Sequence, residues 1–89
     1  MFRRMNDFFV ISTNSPRVLE AVSRYFYISN PMHNVVQIEV INGVLLYRIC
    51  VKCDEKLDKE LEIVIRSYLE TRNIPLFDPI KEEKTNADD

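Results

Sequence analysis

The chain reads as an α+β domain: an antiparallel sheet with two helices on one of its faces. Three observations predict that class. Asn42-Gly43 separates two apolar, β-rich runs, Val35–Ile41 and Val44–Val51. A two-residue type I′ turn needs positive φ at both loop positions, and Asn-Gly meets that need at least strain. Two segments, one on each side of this hairpin, carry apolar residues at three- and four-residue spacing, the period of a helix with one buried face. Ahead of both, Phe8-Phe9-Val10-Ile11 is a short continuous apolar run, as expected of a central strand covered on both sides.

The elements follow in order. Asp7–Ser12 is the first predicted strand. Ser15-Pro16 then supplies a serine N-cap with proline at the first helical position. Val18, Leu19, Val22, Tyr25 and Phe26 form the stripe of a helix that ends near Ile28, stopped by Ser29-Asn30-Pro31. Tyr25, Phe26 and Tyr27 are expected as core and boundary residues of that helix. The hairpin follows. Asp54 is the expected N-cap of a second helix, with Leu57, Leu61, Val64, Ile65, Tyr68 and Leu69 on one side. Its other face, Lys56, Asp58, Lys59, Glu60, Glu62, Arg66 and Glu70, is charged. Asn73 can end it in a left-handed conformation. Ile74-Pro75-Leu76-Phe77 is a candidate fourth strand, which proline would confine to an edge. Residues 1–79 form one expected domain, and 80–89 an expected disordered, charged tail.

This order resembles the ferredoxin-like arrangement, βαββα with or without a short fourth edge strand. The resemblance implies central strands at 7–12 and 44–53 and a right-handed crossover through the first helix. Many functions share the arrangement, so it assigns none.

Composition bounds the function. Eighty-nine residues make one domain that buries about 60–65% of its unfolded surface. Hydrophobic residues make up 46%, an ordinary globular share. No apolar run has the length of a membrane span, and Phe8–Ile11 is too short for a signal-peptide core. A cytoplasmic, unprocessed protein is the expectation. The net charge is −2, unevenly spread. Residues 1–53 carry six basic residues, five of them arginine, against three acidic ones; residues 54–89 carry six against eleven.

Candidate chemistry is sparse. Cys50-Val51-Lys52-Cys53 has the spacing of a redox pair, but Cys50 belongs to a strand, and Asp54 and Glu55 oppose a thiolate at Cys53. Two cysteines and the lone His33 fall short of the four ligands zinc takes, so no metal site is expected. His33 reads as a loop residue. Ser12, Thr13 and Ser15 stand near no glycine elbow, and a single glycine permits no phosphate-cradling loop. Acylphosphatases share this architecture, but Ser12-Thr13-Asn14-Ser15-Pro16-Arg17 does not resemble their glycine-rich loop. No enzyme, no cofactor and no small-molecule substrate are expected.

Hairpin register assigns the surfaces. With a two-residue loop, Ile41 faces Val44 and Glu39 faces Leu46. The apolar set Val36, Ile38, Val40, Leu45, Tyr47 and Ile49 should then face the helices. The open face shows Val35, Gln37, Glu39, Ile41, Val44, Leu46, Arg48 and Cys50, joined by Phe8 or Phe9. Such a mixture of apolar and polar residues resembles the core and rim of a protein interface. The leading expectation is a non-catalytic, regulatory or accessory binding protein that uses this face on a protein partner or as a homodimer. Val35, Gln37, Glu39, Ile41, Val44, Leu46 and Arg48 are its contact residues. A second reading draws on the resemblance to RNA recognition modules and uses Arg3, Arg4, Arg17, Arg24 and Arg48 on nucleic acid. The second central strand, however, presents leucine and arginine where those modules present stacking aromatics. A third is a small-molecule sensor that resembles the ACT type, lacking the glycine at the first strand-to-helix turn.

Overall fold

A computed structural model describes residues 2–29 and 32–79. The order is β1 (Phe2–Met5), β2 (Phe8–Thr13), α1 (Pro16–Arg24), β3 (Asn34–Ile41), β4 (Val44–Lys52) and α2 (Asp58–Glu70). A π-helical turn, Tyr25–Ser29, extends α1, and a 3₁₀ turn, Glu55–Leu57, leads into α2. The strands make one antiparallel sheet in the order β1-β2-β4-β3. β4 lies between β2 and β3, which run parallel to each other across it. This is the expected two-layer α+β arrangement.

Local chemistry places the helix ends. The Ser15 hydroxyl accepts from the Val18 N–H at 3.2 Å, with Pro16 at the first helical position. Asp54 caps the 3₁₀ turn through the Lys56 N–H at 2.9 Å rather than α2 itself. Asn73 takes φ of 56° just past α2. Phe9 and Ile11 of β2, Ile49 and Val51 of β4, Val18, Val22 and Phe26 from α1 and its extension, and Leu61, Ile65 and Leu69 of α2 make one buried cluster.

The fourth strand is not the expected one. Residues 74–77 form no strand, and β1 holds the edge beside β2 instead. Pro75 cannot donate to a ladder. Ile74 and Leu76 instead pack against the core from outside the sheet. The segment is fixed by polar bonds: the Thr13 hydroxyl donates to the Leu76 carbonyl, and Asn14 exchanges bonds with the Asp78 backbone at 2.7 and 3.1 Å. β1 reaches its place through a two-residue loop in which Asn6 takes φ of 54°. Arg4 then ties β1 to the start of α2. Its guanidinium grips the Asp58 carboxylate with two nitrogens and donates to the Cys53 carbonyl at 2.9 Å. Arg66 of α2 lies over the Phe2 ring at 4.9 Å. The expected tail at 80–89 lies outside the described residues.

The second correction concerns coverage. The β3–β4 register is as expected, with Val36, Ile38 and Val40 opposite Ile49, Tyr47 and Leu45. Only Ile49 of that set is buried. Ile38 is 62% exposed, Val40 64%, Leu45 47% and Val36 38%, while Tyr47 is half-buried. β2 pairs with β4 only over Tyr47–Lys52, so among the described residues Val44–Leu46 have β3 as their sole strand neighbour. Parity along the strands is right, but the helices stop short of the hairpin's outer half.

Two substitutions separate core from arm. Ile65→Ala should cost about 2–5 kcal/mol in chemical denaturation, as a buried large-to-small change. Ile38→Ala, compared with wild type at a dilution where both are monomeric, should stay within about 0.5 kcal/mol, because the side chain makes few core contacts. Gly43, at φ of 79°, has no atom within 4 Å of a would-be Cβ. Gly43→Val should therefore lose about 1 kcal/mol or more purely through backbone strain, read as a lower denaturation midpoint.

Candidate interaction surface

Strand parity builds the open face. Opposite the helices stand Val35, Gln37, Glu39 and Ile41 of β3 beside Cys50, Arg48, Leu46 and Val44 of β4. Phe8, Val10 and Ser12 of β2 and Arg3 and Met5 of β1 continue it. Of the two phenylalanines, Phe8 is on this face and Phe9 is in the core. The face has a firm middle. Val10, flanked in register by Arg3 and Cys50, is 1% exposed although it lies on the face opposite α1 and α2. Farther out, Arg48 is ion-paired with Glu39, and Gln37 stands directly opposite Arg48. At the tip, Ile41, Asn42, Val44 and Leu46 line a shallow, mostly apolar hollow. All seven proposed contact residues thus lie on one continuous strip.

The other face of the same arm carries Val36, Ile38, Val40 and Leu45, and sequence reasoning had assigned these to the core. Tyr27 and Ile28 add to the exposed apolar surface, at 82% and 65% exposure. Tyr27 also lines two hollows with Asn34, the first residue of β3. Of the aromatic trio, Phe26 is core and Tyr25 half-buried, whereas Tyr27 points away from the body. Its signal was available: a helical stripe through Val18, Val22 and Phe26 leaves Tyr27 about 100° off the buried side.

The arginines do not converge. Arg3 and Arg48 share the open face; Arg4 is on the helix side, engaged with Asp58. The hydrogen bond to Asp58 is the main reason its guanidinium holds its proton more tightly than usual. Arg17 and Arg24 lie on α1, where they share a hollow with Arg72 and Glu20, and Arg24 pairs with Glu20 at 3.3 Å.

Both thiols are free and half-buried. Cys50 lies on the open face between Val10 and Val35. Burial pushes its pKa up, and Arg48 opposes this only in part. Cys53 follows β4, where its sulfur accepts from Arg4 at 3.5 Å. His33 is exposed, and its carbonyl accepts from the Lys52 N–H at 3.0 Å. Among the described residues, no three His, Cys, Asp or Glu side chains are grouped to hold a metal ion, and no helix is long and apolar enough to cross a membrane. The Thr13 and Ser15 hydroxyls are buried in structural bonds, Thr13 accepting from the Ser15 N–H at 3.0 Å. No protein-family model, curated protein or solved structure matches the chain.

The raised Cys50 pKa has a kinetic consequence, since alkylation proceeds through the thiolate. In a Cys53→Ser chain, iodoacetamide at pH 7 should modify Cys50 more slowly than a free cysteine peptide. Denaturant should remove the difference. An equal or faster rate in the native protein would mean that burial does not control this thiol.

Proposed function

We propose that the chain is a small, non-catalytic binding protein that acts through its hairpin arm and open sheet face, on a protein partner or on itself. The exposure of apolar side chains on both faces of the arm carries this reading. Surface hydrophobes scattered singly are ordinary, but contiguous ones mark interaction sites. Val36, Ile38, Val40 and Leu45 are contiguous on one face; on the other, Ile41, Val44 and Leu46 adjoin at the tip, and Val35 lies at the inner end beyond Gln37 and Arg48. The Arg48–Glu39 pair and Gln37 supply polar groups of the kind that fix orientation in an interface. Nucleic-acid binding draws less support from the geometry, because the five arginines are divided between the open face, the β1–α2 contact and the outer side of α1.

Capture from the native host, with and without nuclease and read by mass spectrometry, tests the proposal. A protein should be recovered in both cases. Leu46→Glu should leave the circular dichroism spectrum and melting temperature nearly unchanged while abolishing capture, because a carboxylate at an interface centre is costly to desolvate. A nuclease-sensitive, sequence-selective complex that survives Leu46→Glu, with affinity falling steeply as salt rises, would establish the nucleic-acid reading instead.

A further inference from the structure

We infer that the outer edge of β3 is a self-association site. β3 of a second copy pairs with it antiparallel, Ile38 opposite Ile38, joining the two four-stranded sheets into one. This rests on the binding function proposed above and commits it to one occupant.

The two edges of the sheet are differently protected. An unprotected edge is a template for further pairing, and proteins guard edges with short strands, charges, proline or bulges. β1 is guarded: it is four residues long and carries Arg3 and Arg4. β3 has eight residues, Asn-Val-Val-Gln-Ile-Glu-Val-Ile, without proline or lysine. It keeps an unbroken one-to-one register with β4, so it has no bulge. Its one charge, Glu39, is ion-paired within the chain.

The register of β3 on β4 fixes which backbone groups face outward. The Lys52 N–H bonds the His33 carbonyl, placing residue 33 in a hydrogen-bonded pair. Such pairs alternate along an antiparallel ladder. The odd-numbered residues of β3 therefore bond to β4, as the closing pair Ile41–Val44 of a two-residue hairpin also requires. Asn34, Val36, Ile38 and Val40 turn their backbone groups outward.

Opposed residues in an antiparallel pair share a face, so two copies of β3 can pair only with like parity. Centred on Ile38, Val36 meets Val40 and Ile38 meets itself on the helix side. On the open face Val35 meets Ile41 and Gln37 meets Glu39. Apolar meets apolar throughout, and polar meets polar. Centred one residue earlier, Asn34 opposes Val40 and Val35 opposes Glu39. Centred one residue later, the two Glu39 carboxylates face each other, which is destabilising.

Exposed apolar side chains lie alongside this edge. In the Ile38 register each hairpin tip runs past the base of the other β3, where Tyr27 and Ile28 stand exposed beside Asn34. Val40 and Leu45 of the incoming arm are on the helix side and cover them. This side-chain contact enlarges a purely main-chain edge contact toward the roughly 1,000 Å² a specific interface needs.

Sedimentation equilibrium of the full chain tests association. Wild type should be a dimer. Ile38→Lys, which sets like charges directly opposite, should weaken it about tenfold or more while the circular dichroism spectrum is retained. Cysteine trapping tests register, with the native cysteines kept and disulfides assigned by peptide mass. The Ile38→Cys chain should cross-link to itself under mild oxidation, because the Cα atoms of a hydrogen-bonded pair are about 5.5 Å apart, within disulfide reach. Gln37→Cys and Glu39→Cys should cross-link far less. Preferential trapping at either of those positions overturns the register. A wild-type chain that sediments as a monomer, or a dimer unaffected by Ile38→Lys, overturns the proposal. If a monomeric chain still captures a host protein through Leu46, the binding function stands and the self-association alone fails.

Discussion

The β3–β4 hairpin is longer than anything that packs against it, and the shape of the molecule depends on that mismatch. Strands rise about 3.3 Å per residue and helices about 1.5 Å. The nine residues of β4 therefore span roughly 30 Å, while α1 with its five-residue extension spans roughly 20 Å and the thirteen of α2 roughly 20 Å. β2 contributes only six residues, all paired with the inner part of β4. The outer hairpin must project, and the principal extents of 49 × 28 × 20 Å record it. A two-stranded ribbon is marginal in water unless a third strand or a packed face supports it. The arm's inner end has that support in β2 and the buried Ile49 and Val51; its outer end, from Glu39 to Leu46, has no third strand beside it among the described residues.

The body that anchors the arm is held at its other edge by directional contacts. β1 offers little apolar area, with only Phe2 packed toward the core. Its hold comes from the two-pronged Arg4–Asp58 contact, the bond from Arg4 to the Cys53 carbonyl, and Arg66 over Phe2. Cys53 also donates its N–H to the Asp7 carbonyl at 3.1 Å, so the β1–β2 loop and the β4–α2 connection are fastened together. Planar guanidinium chemistry suits this work, since it satisfies a carboxylate and a carbonyl from one side chain. The same engagement leaves a short edge strand that carries two arginines. The two edges of the sheet are thus chemically opposite: one closed by charge and brevity, the other long and apolar.

Much of this was legible in the sequence because the signals are local. Asn42-Gly43 fixed the loop, the loop fixed the register, and period two then assigned every β3 and β4 side chain to a face. Ser15-Pro16 and Asn73 marked helix ends by backbone preferences that need no tertiary context. What failed required knowledge of distance between elements. Alternation puts Ile38 and Val40 on the helix side, but only the length of α1 decides whether anything reaches them. β1 was overlooked because Arg3 and Arg4 disguise a strand whose partners are across the chain, although Asn6 was a legible positive-φ turn residue before Phe8. Residues 74–77 looked like the missing edge strand by composition. The hydrogen-bonding needs of the buried Thr13 hydroxyl and of Asn14 hold that segment instead at the junction of β2 and α1.

The edge of β3 and the open face are not competing surfaces. Edge pairing uses outward backbone groups of even-numbered residues and leaves the odd-numbered side chains where they stand. Joining two copies through Ile38 therefore leaves Val35, Gln37, Glu39, Ile41, Val44, Leu46 and Arg48 together on the open face and repeats them about a twofold axis. The two Arg48–Glu39 pairs then flank the axis with Gln37 of each copy beside Glu39 of the other, and the apolar tips lie farther out. Rigidity favours this arrangement over a floppy patch: Val10 is buried at the inner end of the strip, and Arg48 is held by its carboxylate. An ordered surface loses less conformational entropy on binding than two free ribbons would. Self-pairing thus supplies the arm with a neighbouring strand that none of the described residues provides, and it presents the open face as a wider, firmer surface to any further protein.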